Sequence, residues 1–521
     1  MTEMKHLLCS WKALCCAAVA LLLVSCHGKS DYRNLLPADS TFTLSVNPAA
    51  LVEKSGVGSC DQSPLCQRLR AELEAAPNLS DAERQYLLQL LENPAESGVD
   101  ERKSIFLFSS MPGSLDLGGQ LPQQAGVLLP VADQAKFAGM IDLLCQNAGL
   151  EKQTRGKLTC VLFENDPYNG VCAFDERAAL LLFAPESVEA VLGKVDALFA
   201  QKARESLMGK EGVADAFSCG NDIDVIMNYA GMLKGNPILN ALSVAEAFGN
   251  MTVISALNFE KGEVVCQSTL SYADAGSKRQ LEEFYSYVYV KPQKGELLRY
   301  VPKNTIAVLG FGLEGRELLK VASSLPGGAM LAGNPQVQQA LASIEGDVLV
   351  DFSGMSADGR YPLMSVLAQV NDPSLLEVIQ ANLAGVPVEP RGENACVLTL
   401  YGTTVRFGVQ DGFFYVTSDP AVMAALDGAA GESLESKSGL FRKHSGSCYL
   451  DFAALNGMLT PMLGSSYDRE SALVLNCFDE LEAYGNNERG ELVVRMADRE
   501  QNAFKSICDC LGELLAPYLT E

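Results

Sequence analysis

The chain has 521 residues, too many for one ordinary hydrophobic core, and its 48% apolar and 20% charged residues are a globular composition. The formal charge of −24 argues against nucleic acid as a partner, because no basic stripe exists to release counterions from phosphates. With only three histidines, the chain is not expected to build a multi-histidine metal site.

The N-terminus has the parts of a secretory signal. Lys5 and Lys12 precede an uncharged stretch, 13–24, of about twelve residues, well short of the ~20 that a spanning helix needs. It ends in Leu23–Cys26, the aliphatic and small pattern that the lipoprotein signal peptidase reads. We therefore predict a signal peptide over 1–25 and lipidation of Cys26. An uncleaved anchor, or a buried helix with an incidental cysteine, is the alternative.

Lipidation at Cys26 predicts attachment to a membrane without insertion. Each buried CH₂ contributes about 0.8 kcal/mol, so a multiply acylated cysteine holds a protein on a bilayer durably. We expect a tether over 26–34 and the membrane as a partner. His27 stands where an inner-membrane retention aspartate would stand, which favours the outer membrane, with the face left open. Removing 1–25 leaves 38 basic and 63 acidic residues, a formal charge of −25.

Twelve cysteines follow Cys26, in a compartment that permits disulfides. Most stand alone inside apolar, strand-like runs and are interpreted as small core residues. Cys60 with Cys66 could close a loop, whereas Cys508 with Cys510 would be strained on a helix. The pairing stays open, and no zinc-type C-x-x-C pair occurs.

The mature chain then repeats itself in order. A proline turn that leads into a strand at 35–46 recurs at 299–309, and a helix follows each. Later matches include Cys160–Leu162 with Cys396–Leu398, each opening a hairpin. The repeat predicts an α+β fold of two homologous domains, with mainly antiparallel sheets and helices packed on one face.

The predicted domains span 35–290 and 297–521. The first carries a helical insertion near 63–91, in which Ser80 and Glu83 form a capping box.

Three features of the sequence resemble those of a known family. The Leu23–Cys26 motif, the Leu36–Asp39 turn before a strand and the Asn93–Asp100 segment resemble an uncharacterised family of large Bacteroidales lipoproteins, known only as a domain of unknown function. The resemblance implies a Gram-negative envelope location and a duplicated architecture. It implies no activity and no catalytic residues.

One motif imitates a nucleotide site. Gly310, Gly312 and Gly315 form a literal G-x-G-x-x-G between a strand and a helix. The matching turn in the first repeat, Asn47–Ala49, lacks the glycines, and no acidic residue ends a strand about twenty positions later. We interpret the glycines as permitting a tight turn and close packing, and we expect no cofactor.

Three other groups of side chains are weak candidates. His444 lies in a polar loop before a strand and is expected to be exposed. Asp222 and Asp224 share a strand face and could bind a cation or act as an acid/base pair, although a solvated face fits better. The alternation in Phe284–Tyr289 predicts a strand with three tyrosines on one face, packed on the linker or exposed to a partner.

The sequence thus predicts a membrane-anchored envelope lipoprotein without catalytic residues, which binds a protein or a ligand. The alternatives are a carboxylate-based hydrolase of envelope or extracellular material, and a purely structural spacer. Cys26 is the only residue with a predicted chemical role.

Overall fold

In the computed structural model, fourteen segments of the chain are described. They are 31–56, 64–76, 79–110, 122–165, 167–229, 244–288, 291–324, 333–356, 358–383, 385–400, 402–429, 431–463, 469–486 and 488–515. Cys26 and the signal peptide lie outside the described residues, so their roles stay predictions.

The strands fall into two sets of ten, called here the first half and the second half. The first half contains Phe42–Val46 (β1), Ile105–Ser110 (β2), Gln124–Pro130 (β3), Lys152–Arg155 (β4), Leu158–Phe163 (β5), Asn169–Phe174 (β6), Ala178–Ala184 (β7), Ile223–Asn228 (β8), Met251–Glu260 (β9) and Glu263–Tyr272 (β10). The second half contains Ala307–Glu314 (β11), Ile344–Met355 (β12), Pro362–Val370 (β13), Val388–Pro390 (β14), Ala395–Leu400 (β15), Thr403–Gln410 (β16), Phe413–Thr417 (β17), Gly446–Asp451 (β18), Phe478–Gly485 (β19) and Arg489–Met496 (β20).

Helices connect these strands. Those that precede β11 are Pro48–Ser55 (α1), Pro64–Ala75 (α2), Asp81–Glu92 (α3), Gln134–Ala148 (α4), Val188–Ala200 (α5), Val213–Ala216 (α6), Ala245–Gly249 (α7) and Ala275–Val288 (α8). Those that follow it are Gly315–Ser324 (α9), Pro335–Ala342 (α10), Ser374–Asn382 (α11), Pro420–Leu426 (α12), Ser438–Phe441 (α13), Phe452–Leu463 (α14), Arg469–Asn476 (α15) and Ala503–Leu515 (α16). The predicted capping box is confirmed, since Ser80 and Glu83 cap α3 reciprocally.

All twenty strands belong to one antiparallel sheet. Their spatial order is β4-β5-β6-β7-β3-β2-β1-β8-β9-β10-β20-β19-β18-β11-β12-β13-β17-β16-β15-β14. The halves meet where Glu263–Thr269 of β10 pairs with Arg489–Arg495 of β20.

The prediction of two separate domains, each with its own sheet, is therefore wrong, although α+β is roughly the right class. The physical reason is that β10 and β20 are the last strands of their halves. If the halves were separate, each of these strands would expose a row of unpaired backbone N–H and C=O groups. Each edge is satisfied by pairing with the other. Sequence patterns within a half give no sign of this pairing.

Inside the single sheet, the strand order of the first half recurs in the second. Hydrogen bonds outside regular structure recur with it: Leu207 N donates to Leu36 O as Leu434 N donates to Val301 O. Likewise Val131 N donates to Arg177 O as Val370 N donates to Gly412 O. Residues at the same sheet position in the two halves are called equivalent below.

Helices cover both faces of the sheet, so the prediction of helices on one face is also wrong. Leu180 and Leu182 of β7 share a core cluster with Val191 of α5. Ala179, on the other side of the same strand, shares a cluster with Phe137 of α4. Strand β7 reads as a nearly continuous apolar run because it is buried on both faces.

One predicted match is displaced by one residue. Strand pairing makes Val161 equivalent to Cys396, rather than Cys160. A shift of one residue moves a side chain to the opposite face. Accordingly Cys160 lies in the cluster beneath α5, whereas Cys396 lies in the cluster beneath α11.

None of the helices in the described part of the chain has both the length and the apolarity needed to cross a membrane.

Candidate functional site

A row of apolar side chains crosses one face of the sheet, one residue from each of twelve neighbouring strands. This apolar row consists of Ile105, Val46, Ile223, Leu257, Cys266, Leu492, Ala483, Cys448, Leu309, Val350, Val366 and Val416, in spatial order. Eleven of the twelve are half-buried, and Leu309 is 43% exposed. Because side chains on adjacent strands are neighbours on a face, these residues form a continuous surface.

Two helices cover part of this row. Ile223 and Leu257 share an apolar cluster with Leu51 of α1 and with Phe504 and Ile507 of α16. The open stretch, which neither of these helices covers, runs from Cys266 to Val416 over eight strands, about 34 Å at the usual spacing of strands. Its last residue, Val416, also packs against the apolar cluster beneath α11.

Two cavities lie along the open stretch. The central cavity, of about 390 Å³, is lined by Cys266, Leu309, Cys448, Ala483 and Leu492 of the row, among others. The end cavity, of about 360 Å³, is lined by Val366, Val416 and the residues around them. Val350 lies between the two cavities. Both volumes are within the range of small-molecule sites.

The end cavity is uncharged in a strongly acidic protein. Its lining consists of Tyr361, Pro362, Met364, Ser365, Val366, Thr403, Val405, Val416 and Ser418. Met364 is 40% exposed, so apolar surface here is open to solvent. Such a surface favours an uncharged, apolar ligand, because leaving water is favourable for apolar groups and costly for charged ones.

The central cavity contains two thiols. Burial raises the pKa of Cys266 and also that of Cys448, so both stay protonated at neutral pH. The thiolate is the form that attacks substrates and binds metals. Within the described residues, no group of three or more His, Cys, Asp and Glu side chains could hold a metal ion. The row therefore presents apolar groups to the two cavities.

The glycine motif is part of the sheet. Gly310 and Gly312 lie inside β11, which pairs with β12 and β18. A Cβ on Gly312 would collide with the Lys291 carbonyl, and one on Gly315 with the Leu341 carbonyl. The expected close packing is confirmed, because the segment that joins the halves lies directly against β11. The expected tight turn is wrong, because Gly310 and Gly312 lie inside a regular strand.

Asp222 and Asp224 are buried, so the predicted solvated face is wrong. Asp222 pairs with Lys54 at 2.7 Å and also accepts from the Phe259 amide. Asp224 accepts from Asn221 at 2.7 Å, and burial raises its pKa. Each carboxylate has its own structural partners.

His444 and the tyrosine cluster also differ from expectation. His444 is half-buried, and its ring packs on Tyr484 with 4.4 Å between centroids. The predicted strand at 284–289 is wrong, because 284–288 form the end of α8 and Tyr289 lies outside the described residues. Tyr285 packs on Phe248 of α7. Local alternation was misleading here because α8 packs through i, i+3 and i+4 neighbours.

One unusual carboxyl is not among the predicted sites. Asp351 of β12 is 1% exposed and lies beside Ser365 and Thr417, whose hydroxyls are 2.8 Å apart. Burial raises its pKa to about 7, the hydrogen bond from Ser365 lowers it, and nearby Asp419 raises it. Among the described residues, no donor reaches its Oδ2 atom. The sequence feature that could have indicated this site is an acidic residue inside a strand of alternating polar and apolar residues.

A cleft of about 750 Å³ lies where the chain leaves the predicted tether. Its charged residues pair with near neighbours: Arg33 with Asp31, and both Arg102 and Lys103 with Asp100. These pairs satisfy the charges of Asp31, Arg33, Asp100, Arg102 and Lys103 locally.

The apolar row could not be recognised from the sequence. Alternating runs such as Leu309, Phe311 and Leu313 indicate strands, but the row exists only through the register of strands far apart in the chain.

Comparisons with known proteins add the family. No curated protein sequence matches the chain. A solved structure described as crystal form I of TP0453 aligns with 47% of this chain and 79% of its own, at 9% identity and a TM-score of 0.25. That likeness is too weak to support an argument. A family model described as a domain of unknown function, DUF4836, matches residues 32–434, and the chain therefore belongs to the DUF4836 family.

Proposed function

We propose that this protein is a lipid-anchored, non-enzymatic binding protein of the Gram-negative cell envelope. Its ligand is apolar and lies along the open stretch of the apolar row. The observation that carries the proposal is the continuous apolar surface from Cys266 to Val416, with two cavities, on a protein of charge −24. Large exposed apolar patches mark interaction sites.

The anchoring part rests on the sequence. Leu23–Cys26 has the pattern of a lipoprotein signal, and Cys26 is the proposed site of acylation. A disulfide between Cys477 and Cys510 suits an oxidising compartment such as the periplasm. An outer-membrane location fits His27 after Cys26.

The anchor is tested by Cys26→Ala. We expect loss of labelling by radioactive palmitate and release of the protein from the membrane fraction, because the acylated residue is gone. Cys60→Ala is the control and should keep both. Unchanged labelling of Cys26→Ala would contradict the proposal.

Ligand binding is tested with the purified Cys26→Ser chain and the fluorescent fatty acid cis-parinaric acid. Leu309→Lys should weaken binding at least tenfold, since a charge in the row must be desolvated against the ligand. Val52→Lys is the matched control, because Val52 is 64% exposed on α1 and outside the row. Equal binding by both variants would place the probe elsewhere.

The hydrolase and spacer alternatives stay predictions. A hydrolase needs two acids that flank a common cleft.

A further inference from the structure

We propose that the end cavity is a specific site for the aromatic ring of a small neutral ligand. The inference rests on the proposed binding function and adds the chemical class that one end of the row accepts. It also rests on a comparison of the end cavity with the equivalent space in the first half, which is filled by aromatic side chains of the chain itself.

In the first half, the space is occupied by Phe183. This residue follows Leu182 on β7, and its ring lies directly over Gly170 of β6, where a Cβ would collide with it. Phe163 of β5 adds a second ring, with 6.3 Å between the centroids. Tyr168 closes the side, with its hydroxyl donating to the Pro122 carbonyl at 2.8 Å.

In the second half, the rings at all three positions are missing. Strand pairing makes Ser418 equivalent to Phe183, Leu398 equivalent to Phe163, and Thr403 equivalent to Tyr168. Gly170 is replaced by Val405, which lines the cavity as a wall. The smaller side chains at the three ring positions leave the cavity of about 360 Å³.

The walls retain the chemistry that suits a ring. Met364, Val366 and Val416 supply apolar surface, and a thioether beside a ring is a favourable contact. The Ser418 hydroxyl is hydrogen-bonded to the backbone. It donates to the Pro362 carbonyl at 2.9 Å and accepts from the Met364 amide at 3.0 Å. The cavity therefore selects for a neutral ring rather than for a hydrogen-bonding ligand.

The test uses the full mature chain with Cys26→Ser and ¹³C-methyl methionine. Toluene is the probe, and methylcyclohexane is its non-aromatic counterpart of the same carbon number. We expect saturable ring-current shifts of the Met364 methyl signal, assigned with Met364→Leu, and at least tenfold weaker binding of methylcyclohexane.

Two variants rebuild the first half. Val405→Gly with Ser418→Phe restores the ring over a glycine, and Thr403→Tyr restores the ring of Tyr168 alone. Each should abolish the Met364 shift, and Thr403→Tyr keeps the test valid if the double variant does not fold. A Met364 signal that toluene leaves in place, or moves equally in Thr403→Tyr, would overturn the proposal.

The outcome separates this inference from the proposed function. Suppose that cis-parinaric acid binds, that Leu309→Lys weakens this binding, and that toluene does not shift the Met364 methyl signal. The row then binds apolar ligands, and the proposal of a ring site is wrong. If neither probe binds, both proposals fail.

Discussion

Asp351 stands where the first half has Phe108. The set Phe108, Gly126 and Leu182 is apolar, whereas the equivalent set in the second half is Asp351, Ser365 and Thr417. In the first half, the Phe108 ring lies against Gly126, where a Cβ would collide with it. In the second half, a carboxyl replaces the ring. The second half therefore bears the free-energy cost of burying a polar group, and the first half does not.

The pKa of about 7 for Asp351 predicts a dependence of stability on pH. The folded-state pKa lies above the ordinary 3.8, so the folded protein holds the proton more tightly. Stability from this group is present below about pH 4 and is lost as pH rises towards 7, by up to about 4 kcal/mol. Asp351→Asn should flatten this slope in urea unfolding between pH 4 and 7.

The control for that measurement is Glu101→Gln, since Glu101 is exposed. Its slope should equal that of the parent chain. An Asp351→Asn slope equal to that of the parent would mean that the carboxyl titrates alike in the folded and unfolded states.

Strand β11 is the element that the joining segment depends on. Gly312 O accepts from the Lys291 amide, and Gly312 N donates to the Ser445 carbonyl at 2.9 Å. Lys291 also pairs with Glu345 at 3.0 Å. The chain between the halves is thus held against β11 by backbone contacts that leave no room for a side chain.

Gly312→Ala should destabilise the protein by about 1–3 kcal/mol, because the new methyl group meets the Lys291 carbonyl. The matched control is Gly193→Ala in α5, where nothing lies within 4 Å of the new Cβ. It should stabilise the protein by about 0.5–1 kcal/mol, as alanine is the better helix former. Urea midpoints measure both. Similar midpoints for the two variants would contradict the close approach at Gly312.

At the scale of the whole molecule, the junction of β10 and β20 makes one sheet of two similar halves. Seven residue pairs join the strands, from Glu263 with Arg495 to Thr269 with Arg489. Nearby, Arg495 pairs with Glu480 and Lys437 with Glu482, at 2.8 and 2.9 Å. Without the second half, β10 would present a bare edge.

A fragment of residues 26–290 with Cys26→Ser should therefore self-associate. Its exposed β10 can pair with β10 of another copy, which light scattering after size exclusion would detect as dimers or larger species. Val265→Lys in the same fragment places a charge on that edge and should reduce association. A monodisperse monomer of the unaltered fragment would show that the edge is blocked by other means.

The sequence by itself determined the local features. The capping box of Ser80 and Glu83 follows from backbone preferences within a few residues, and the pattern of β-prone runs indicates most of the strands. Only the tertiary structure decided that the halves share one sheet, that helices cover both faces, and that the apolar row exists. The reason is that strand register and edge pairing are set by contacts between residues far apart in the chain. The same contacts bury Asp351 and leave the end cavity open, because each depends on which side chains meet across strands.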